Sequence, residues 1–158
     1  MKLTLHTDYA LRTLLYLGAR PGKVVPASEI SDSYGISSNH LAKVVQTLSR
    51  LGLVKTHRGV TGGIEMAKRP GDVRLGDIVM LTEPDMNLLE CFDPKTNTCR
   101  IIGPCKLRPV LQEASSAFVE VLNRYTLADM LSNADELARK LGISALPEDE
   151  GGNAETRE

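Results

Sequence analysis

The first clear periodicity in the chain runs through Ala10, Leu11, Leu14, Leu15 and Leu17, apolar positions spaced to share one side of a helix. Thr7 is placed to cap that helix, and the stretch from Gly18 to Gly22, with Pro21 inside it, ends it. Asp8 then falls in the first turn, where the positive end of a helix favours a carboxylate. Residues 27–34 (ASEISDSY) predict a short second helix, Gly35 and Ile36 a tight turn, and Ser37 the cap of a third helix reaching to about Leu51. On this third helix Leu41, Val44, Val45, Leu48 and Leu51 mark a buried stripe. Asn39, Lys43, Gln46 and Arg50 gather on the opposite face, with Ser38, His40 and Thr47 at its edges. The order helix, tight turn, helix with a polar outer face is that of a helix-turn-helix.

After Gly52, the segments LVKTHR and IEMAK flank the glycine-rich turn GVTGG and predict a two-stranded hairpin with Arg58 at its tip. A hairpin directly behind a helix-turn-helix makes a wing. A short helix over 75–82 follows Pro70 and Gly71. The segment from Glu90 to Cys105 holds Pro94, Asn97, Gly103 and Pro104, which predicts a loop. From Leu107 onward Val110, Leu111, Ala114, Ala117, Phe118, Val121, Leu122 and Tyr125 repeat at helical spacing for about five turns, a length suited to pairing with a second subunit. A last short helix is predicted over 134–141, and PEDEGGNAETRE, acidic and without large apolar residues, reads as disordered. The predicted fold is mainly α with a small β-hairpin wing. A winged helix-turn-helix DNA-binding domain (1–83) is followed by a cysteine-containing loop (84–106), a dimerisation helix with a C-terminal helix (107–146) and an acidic tail (147–158).

Charge sharpens this picture. Residues 1–70 carry ten Lys/Arg against four Asp/Glu, and residues 71–158 carry nine against sixteen, so a basic front adjoins an acidic remainder within a net charge of -1. That asymmetry suits a nucleic-acid-binding head whose other surfaces avoid unspecific contact with DNA. No apolar run approaches the roughly 18 residues of a membrane span and no secretory leader is apparent, so a cytoplasmic location without membrane contact is expected. There is no Gly-rich phosphate loop and no Ser/His/Asp arrangement, and enzymatic activity is not expected.

The cysteines bring in the chemistry. All three, Cys91, Cys99 and Cys105, lie in one fifteen-residue segment. Three thiols cannot all pair within one chain, and the two short C-x-x-C knuckles of a structural zinc site are missing. An iron-sulfur cluster with one non-cysteine ligand, a reversible thiol switch and a structural zinc site all remain open at this level.

Several stretches carry a family resemblance: LHTDYALRTLLYL, SDSYGISSNHLAKVVQTLSRLGLV, RGVTGGI, the loop from Cys91 through CRIIGPCKL, and RYTLADML. Together they resemble, nearly end to end, the Rrf-type winged-helix regulators, and SDSYGISSNHLAK and YTLADML are similar to its nitric-oxide-sensing repressors. The resemblance implies a homodimer on a partial inverted repeat in double-stranded DNA, with an iron-sulfur cluster near the dimer interface governing affinity. It implies [4Fe-4S], with [2Fe-2S] as the alternative, and nitric oxide as signal, with iron status or oxidants as alternatives. Cys91, Cys99 and Cys105 are then the thiolate ligands. The remaining donor comes from the N-terminal region of the other subunit: Asp8 in the matching LHTDYAL, with His6 and Asp93 as further candidates and a helix-terminal pair with Arg12 as the plain structural reading of Asp8. On DNA, Ser38, Asn39, His40 and Lys43 are assigned to the major groove, Gln46 or Arg50 to the backbone, and Arg58 and Thr61 to the wing. One departure is visible: seven residues separate Cys91 from Cys99, more than the family's usual spacing, whereas five separate Cys99 from Cys105. Lengthening a flexible loop by a few residues costs only about a few tenths of a kcal/mol.

Overall fold

A computed structural model describes residues 2–59 and 61–143. Helix α1 (Leu5–Gly18) starts earlier than its periodicity suggests. Thr4, not Thr7, is the cap: the Thr4 side chain accepts the Thr7 backbone N–H, and Thr7 itself is fully buried inside the helix. The two hydroxyls sit three positions apart, and Leu5, 57% exposed, broke the apolar pattern by which the earlier start would have been seen.

Helix α2 (Ala27–Tyr34) ends at Gly35, whose φ of 63° lies in the left-handed region that glycine enters without penalty. The Ile36 amide donates back to the Ser31 carbonyl and the Ser31 hydroxyl to the Ile36 carbonyl, closing the turn of the helix-turn-helix. Helix α3 (Ser38–Arg50) begins at Ser37, whose Oγ accepts the His40 amide, as its sequence predicts. Strands β1 (Val54–His57) and β2 (Gly63–Met66) pair antiparallel with Val54 opposite Met66 and His57 opposite Gly63. Gly63 sits where a Cβ would come within 2.4 Å of the Val25 carbonyl oxygen, and an isolated bridge from Val25 to Ile64 ties the wing to the segment before α2.

Beyond the wing come α4 (Leu75–Thr82), an irregular segment containing a single 3-10 turn at Glu90–Phe92, α5 (Leu107–Asn123) and α6 (Ala134–Lys140). Among the described residues the architecture is therefore six helices and one hairpin. The acidic tail assigned to 147–158 lies outside the described residues.

One core joins α1, α2, α3, the hairpin and α4 through Ala10, Leu14, Tyr16, Leu17, Ile30, Leu41, Val44, Leu48, Val54, Ile64 and Ile78. Each large apolar side chain among them contributes about 2 kcal/mol by leaving water. Tyr16 is the polar exception: its hydroxyl donates to Glu29 at 2.8 Å, Arg20 pairs with the same carboxylate, and its ring meets Tyr34 edge to face. Helix α5 packs along α4, with Asn123 against Gly76, yet none of its residues is fully buried. Val110 (58% exposed), Val121 (45%) and Tyr125 (47%) remain at the surface, so the apolar stripe read from the sequence is only partly covered within one chain. No helix of the described residues is long and apolar enough to cross a membrane.

Candidate nucleic-acid interface and cysteine loop

Helix α3 buries Leu41, Val44 and Leu48, with Val45 and Leu51 half-buried beside them. That face fixes the direction of the other: Ser38, Asn39, His40, Lys43, Gln46 and Arg50 are all exposed. These side chains carry amide, imidazole, ammonium and guanidinium groups, the donors that read base edges or hold phosphates. The His40 ring lies 6.3 Å from the Tyr9 ring of α1, and Arg50 donates to the Thr47 hydroxyl at 3.4 Å.

Arg58 and Thr61 are exposed on the turn between β1 and β2, next to Gly59, whose φ is 109°. His57 Nε2 lies 3.0 Å from Glu65 Oε1, a cross-strand ion pair when the imidazole is protonated, so His57 serves the hairpin itself. Between α3 and the hairpin runs a groove of about 580 Å³ lined by Gln46, Arg50, Thr56, His57, Gly59 and Gly62, among others. The groove joins the exposed polar face of the helix to the wing across a lining that also includes Ala42, Val45 and Ile64.

The cysteine loop is ordered by its own short side chains. Asp93 accepts the Lys95 amide (2.9 Å) and the Thr96 hydroxyl (3.1 Å), Asn97 Oδ1 accepts the Cys99 amide (2.9 Å), and Thr98 donates to Glu90. Asp93 is accordingly engaged in its own turn. Cys91 is buried in the 3-10 turn, and Cys99 and Cys105 are half-buried, with Cys105 two residues before α5. All three thiols are free. Three soft sulfur donors on one loop match iron in chemistry and would leave one position to another donor. Among the described residues, however, no three His, Cys, Asp or Glu side chains gather closely enough to hold a metal ion within one chain.

Asp8 and Arg12 form a two-pronged pair, Oδ1 to Nε at 3.1 Å and Oδ2 to Nη2 at 2.9 Å, with both side chains about two-fifths exposed. Arg12 also stands over the Tyr34 ring, 5.8 Å from its centre. Burial pushes the Tyr34 hydroxyl up to about 12 against the opposing pull of Arg12, so Arg12 meets a neutral ring.

Two features escape sequence reasoning. Glu83, the last residue before the cysteine loop, accepts the Thr4 amide at 2.8 Å and the Thr4 hydroxyl at 3.1 Å, fastening the start of α1 to the end of α4. Burial raises the Glu83 carboxyl, but hydrogen bonds from Thr7 and Thr4 outweigh that and hold it below the ordinary glutamate value. The other is a recess between α1 and α3 that His6 and Tyr9 share with His40 and Lys43. Neither had a local signal: Thr4 and Glu83 are 79 positions apart, and His6 and Tyr9 meet His40 only through the fold.

A winged helix-turn-helix whose recognition helix and wing are polar, followed by a three-thiol loop and a long, partly bare helix, defines a DNA-binding regulator. Residues 3–133 match the family model of Rrf2, described as an iron-dependent transcriptional regulator, and the chain belongs to that family. It is 46% identical over 144 residues to the HTH-type transcriptional regulator NsrR of Halalkalibacterium halodurans, covering 90% of this chain and 99% of that protein. It is 45% identical over 142 residues to NsrR of Bacillus subtilis, covering 89% and 97%. Among solved structures it is similar to CymR (YrzC), the global cysteine regulator of B. subtilis, with TM-score 0.69, 25% identity and coverage of 84% of this chain and 98% of that one. It is likewise similar to T. potens IscR, with TM-score 0.67, 26% identity and coverage of 87% and 90%. The chain is an NsrR-like transcriptional regulator and not an enzyme.

Proposed function

We propose that this chain acts in the cytoplasm as a homodimeric repressor whose grip on an inverted-repeat operator is set by an iron-sulfur cluster, [4Fe-4S] with [2Fe-2S] as the alternative, that senses nitric oxide. The observation that carries the reading is the set of three free thiols on one loop, between the winged head and the partly bare α5, in a chain 42 to 46% identical to NsrR relatives.

The division of labour follows the order of elements: residues 1–83 bind DNA, 84–106 hold the cluster, and 107–146 build the dimer. The exposed apolar side chains Leu107, Val110, Val121 and Tyr125 support a second copy packing along α5. Cys91, Cys99 and Cys105 supply the thiolates. Asp8 of the other subunit would supply the remaining donor. When bound, the cluster would supply iron chemistry open to a small molecule such as nitric oxide, with Asp8 as the harder and more weakly held ligand beside the three thiolates.

Asp8 has an alternative partner ready in Arg12, and an exposed ion pair of this kind is worth only about 0.5 kcal/mol, so the carboxylate exchanges between roles at small cost. Asp8 rides on α1, which packs against the recognition helix α3. A tie between the loop of one subunit and α1 of the other therefore constrains the separation of the two heads. A winged-helix dimer needs its recognition helices about one DNA turn apart, and a small shift in that spacing abolishes specific binding.

On DNA, Ser38, Asn39, His40 and Lys43 face the major groove, Gln46 or Arg50 the backbone, and Arg58 and Thr61 act from the wing. The test is anaerobic binding of the loaded protein to a duplex it selects from a random pool, before and after stoichiometric nitric oxide. Tight binding lost on nitric oxide addition supports the reading, and affinity indifferent to nitric oxide and to cluster removal contradicts it. The family's description as iron-dependent favours iron status as the second signal to assay.

A further inference from the structure

The recognition helix is flanked by a recess on each side. On one side is the groove toward the wing, lined by Gln46 and Arg50. On the other is a smaller recess of about 180 Å³ between α1 and α3, lined by Leu5, His6, Tyr9, His40, Lys43 and Val44. A helix lying in a major groove about 12 Å wide has a phosphodiester backbone along both lips, and each recess falls where one lip must pass. We infer that the α1–α3 recess seats a backbone phosphate of the bound duplex, with His6 and Tyr9 of α1 as its new contacts beside His40 and Lys43 of α3. This rests on the DNA-binding reading above and extends the protein's footprint onto its first helix.

The chemistry of the lining fits an anion. It brings together two imidazoles, a phenol and an ammonium with the apolar side chains of Leu5 and Val44, and its lining has no carboxylate. The Oε1 oxygen of nearby Glu83 is already engaged by the Thr4 amide and hydroxyl. Tyr9 is braced by the His40 ring at 6.3 Å, which holds the phenol in place without a bound partner. Such contacts position the protein on the duplex and carry no sequence information.

The placement also has a consequence for control. At 100° per residue, His6 and Tyr9 stand about 60° apart on α1, whereas Asp8 stands about 100° from Tyr9 and about 160° from His6. The first turns of α1 thus turn one side toward the duplex and another toward the ligand role proposed for Asp8. Displacing α1 on one account displaces it on the other.

The experiment uses the full-length, cluster-loaded protein and two duplexes of equal length: the sequence that the wild type selects from a random pool, and a random sequence. Dissociation constants are measured by fluorescence anisotropy across a range of KCl concentrations. Tyr9→Phe, which keeps the ring against His40 and removes the hydroxyl, and His6→Ala should each weaken binding to both duplexes by the same factor, about five-fold. His6→Lys, which adds a permanent cation, should tighten both and steepen the slope of log K against log salt by about one. Wild-type affinities and slopes in all three variants overturn the seat while leaving the regulator reading intact, and losses confined to the selected duplex overturn it in favour of base contacts. Wild-type protein that binds neither duplex overturns the seat together with the regulator reading.

Discussion

Asp8→Ala separates the ion pair that the structure shows from the ligand role proposed for the same carboxylate. The side chain makes two hydrogen bonds to Arg12 one turn along α1, both groups are about two-fifths exposed, and Asp8 lies in the first turn. An exposed i,i+4 pair contributes about 0.5 kcal/mol, and the favourable position at the positive end of the helix about another 0.5 kcal/mol. The variant should therefore lose about 1 kcal/mol, which lowers Tm by about 2–4 °C for a chain of this size. In loaded protein the same change removes the fourth donor, and iron should pass to a chelator faster than from the wild type, with an altered nitric oxide titration. Thermal unfolding of iron-free protein and anaerobic chelator kinetics on loaded protein measure the two effects separately. A loss of more than about 3 kcal/mol without iron, or unchanged chelator and nitric oxide behaviour with it, refutes the assignment.

Cys99→Ala or Cys105→Ala should yield protein that folds but retains no stable cluster, which iron and sulfide analysis checks against the wild type. Arg58→Ala should weaken binding to a selected duplex by about ten-fold while iron content stays at the wild-type level, and full affinity in that variant removes the wing from the interface. Glu83 has a folded value below its unfolded one, so its contribution is complete above the ordinary value of 4.5 and is lost as pH falls through the lower folded value. Glu83→Gln should therefore reduce Tm by a few degrees at pH 7 and flatten the decline of Tm on the acid side. Parallel acid profiles for the two proteins contradict the clasp between α1 and α4.

What was legible in the chain was local. Ser37, the stripe of Leu41, Val44 and Leu48, and Gly35 at the turn specify the helix-turn-helix through contacts within a few residues, and α2, α3 and the hairpin stand where their patterns put them. Thr7 was misplaced because two threonines three apart offer the same hydroxyl, and exposed Leu5 and half-buried His6 give no apolar period that shows the helix already begun at residue 5. The Thr4–Glu83 clasp and the recess of His6 and Tyr9 depend on how distant elements pack, which periodicity does not encode. The cysteine spacing raised a ligand set as an expectation from residue type, and the i,i+4 spacing of Asp8 and Arg12 offered the pair that forms, but the pairing of Asp93 with its own loop needed coordinates. Helix α5 was legible as a helix from its apolar stripe, and Val110, Val121 and Tyr125 on it remain exposed within one chain.

The central claim is that the three-thiol loop holds an iron-sulfur cluster, and the most direct measurement is the visible absorption spectrum, with iron and sulfide counts, of protein purified without oxygen. The account predicts a brown protein with about four irons and four sulfides per subunit, and about two of each identifies the [2Fe-2S] form instead. A colourless, iron-free protein that still binds its selected duplex contradicts it and transfers the loop to thiol or zinc chemistry.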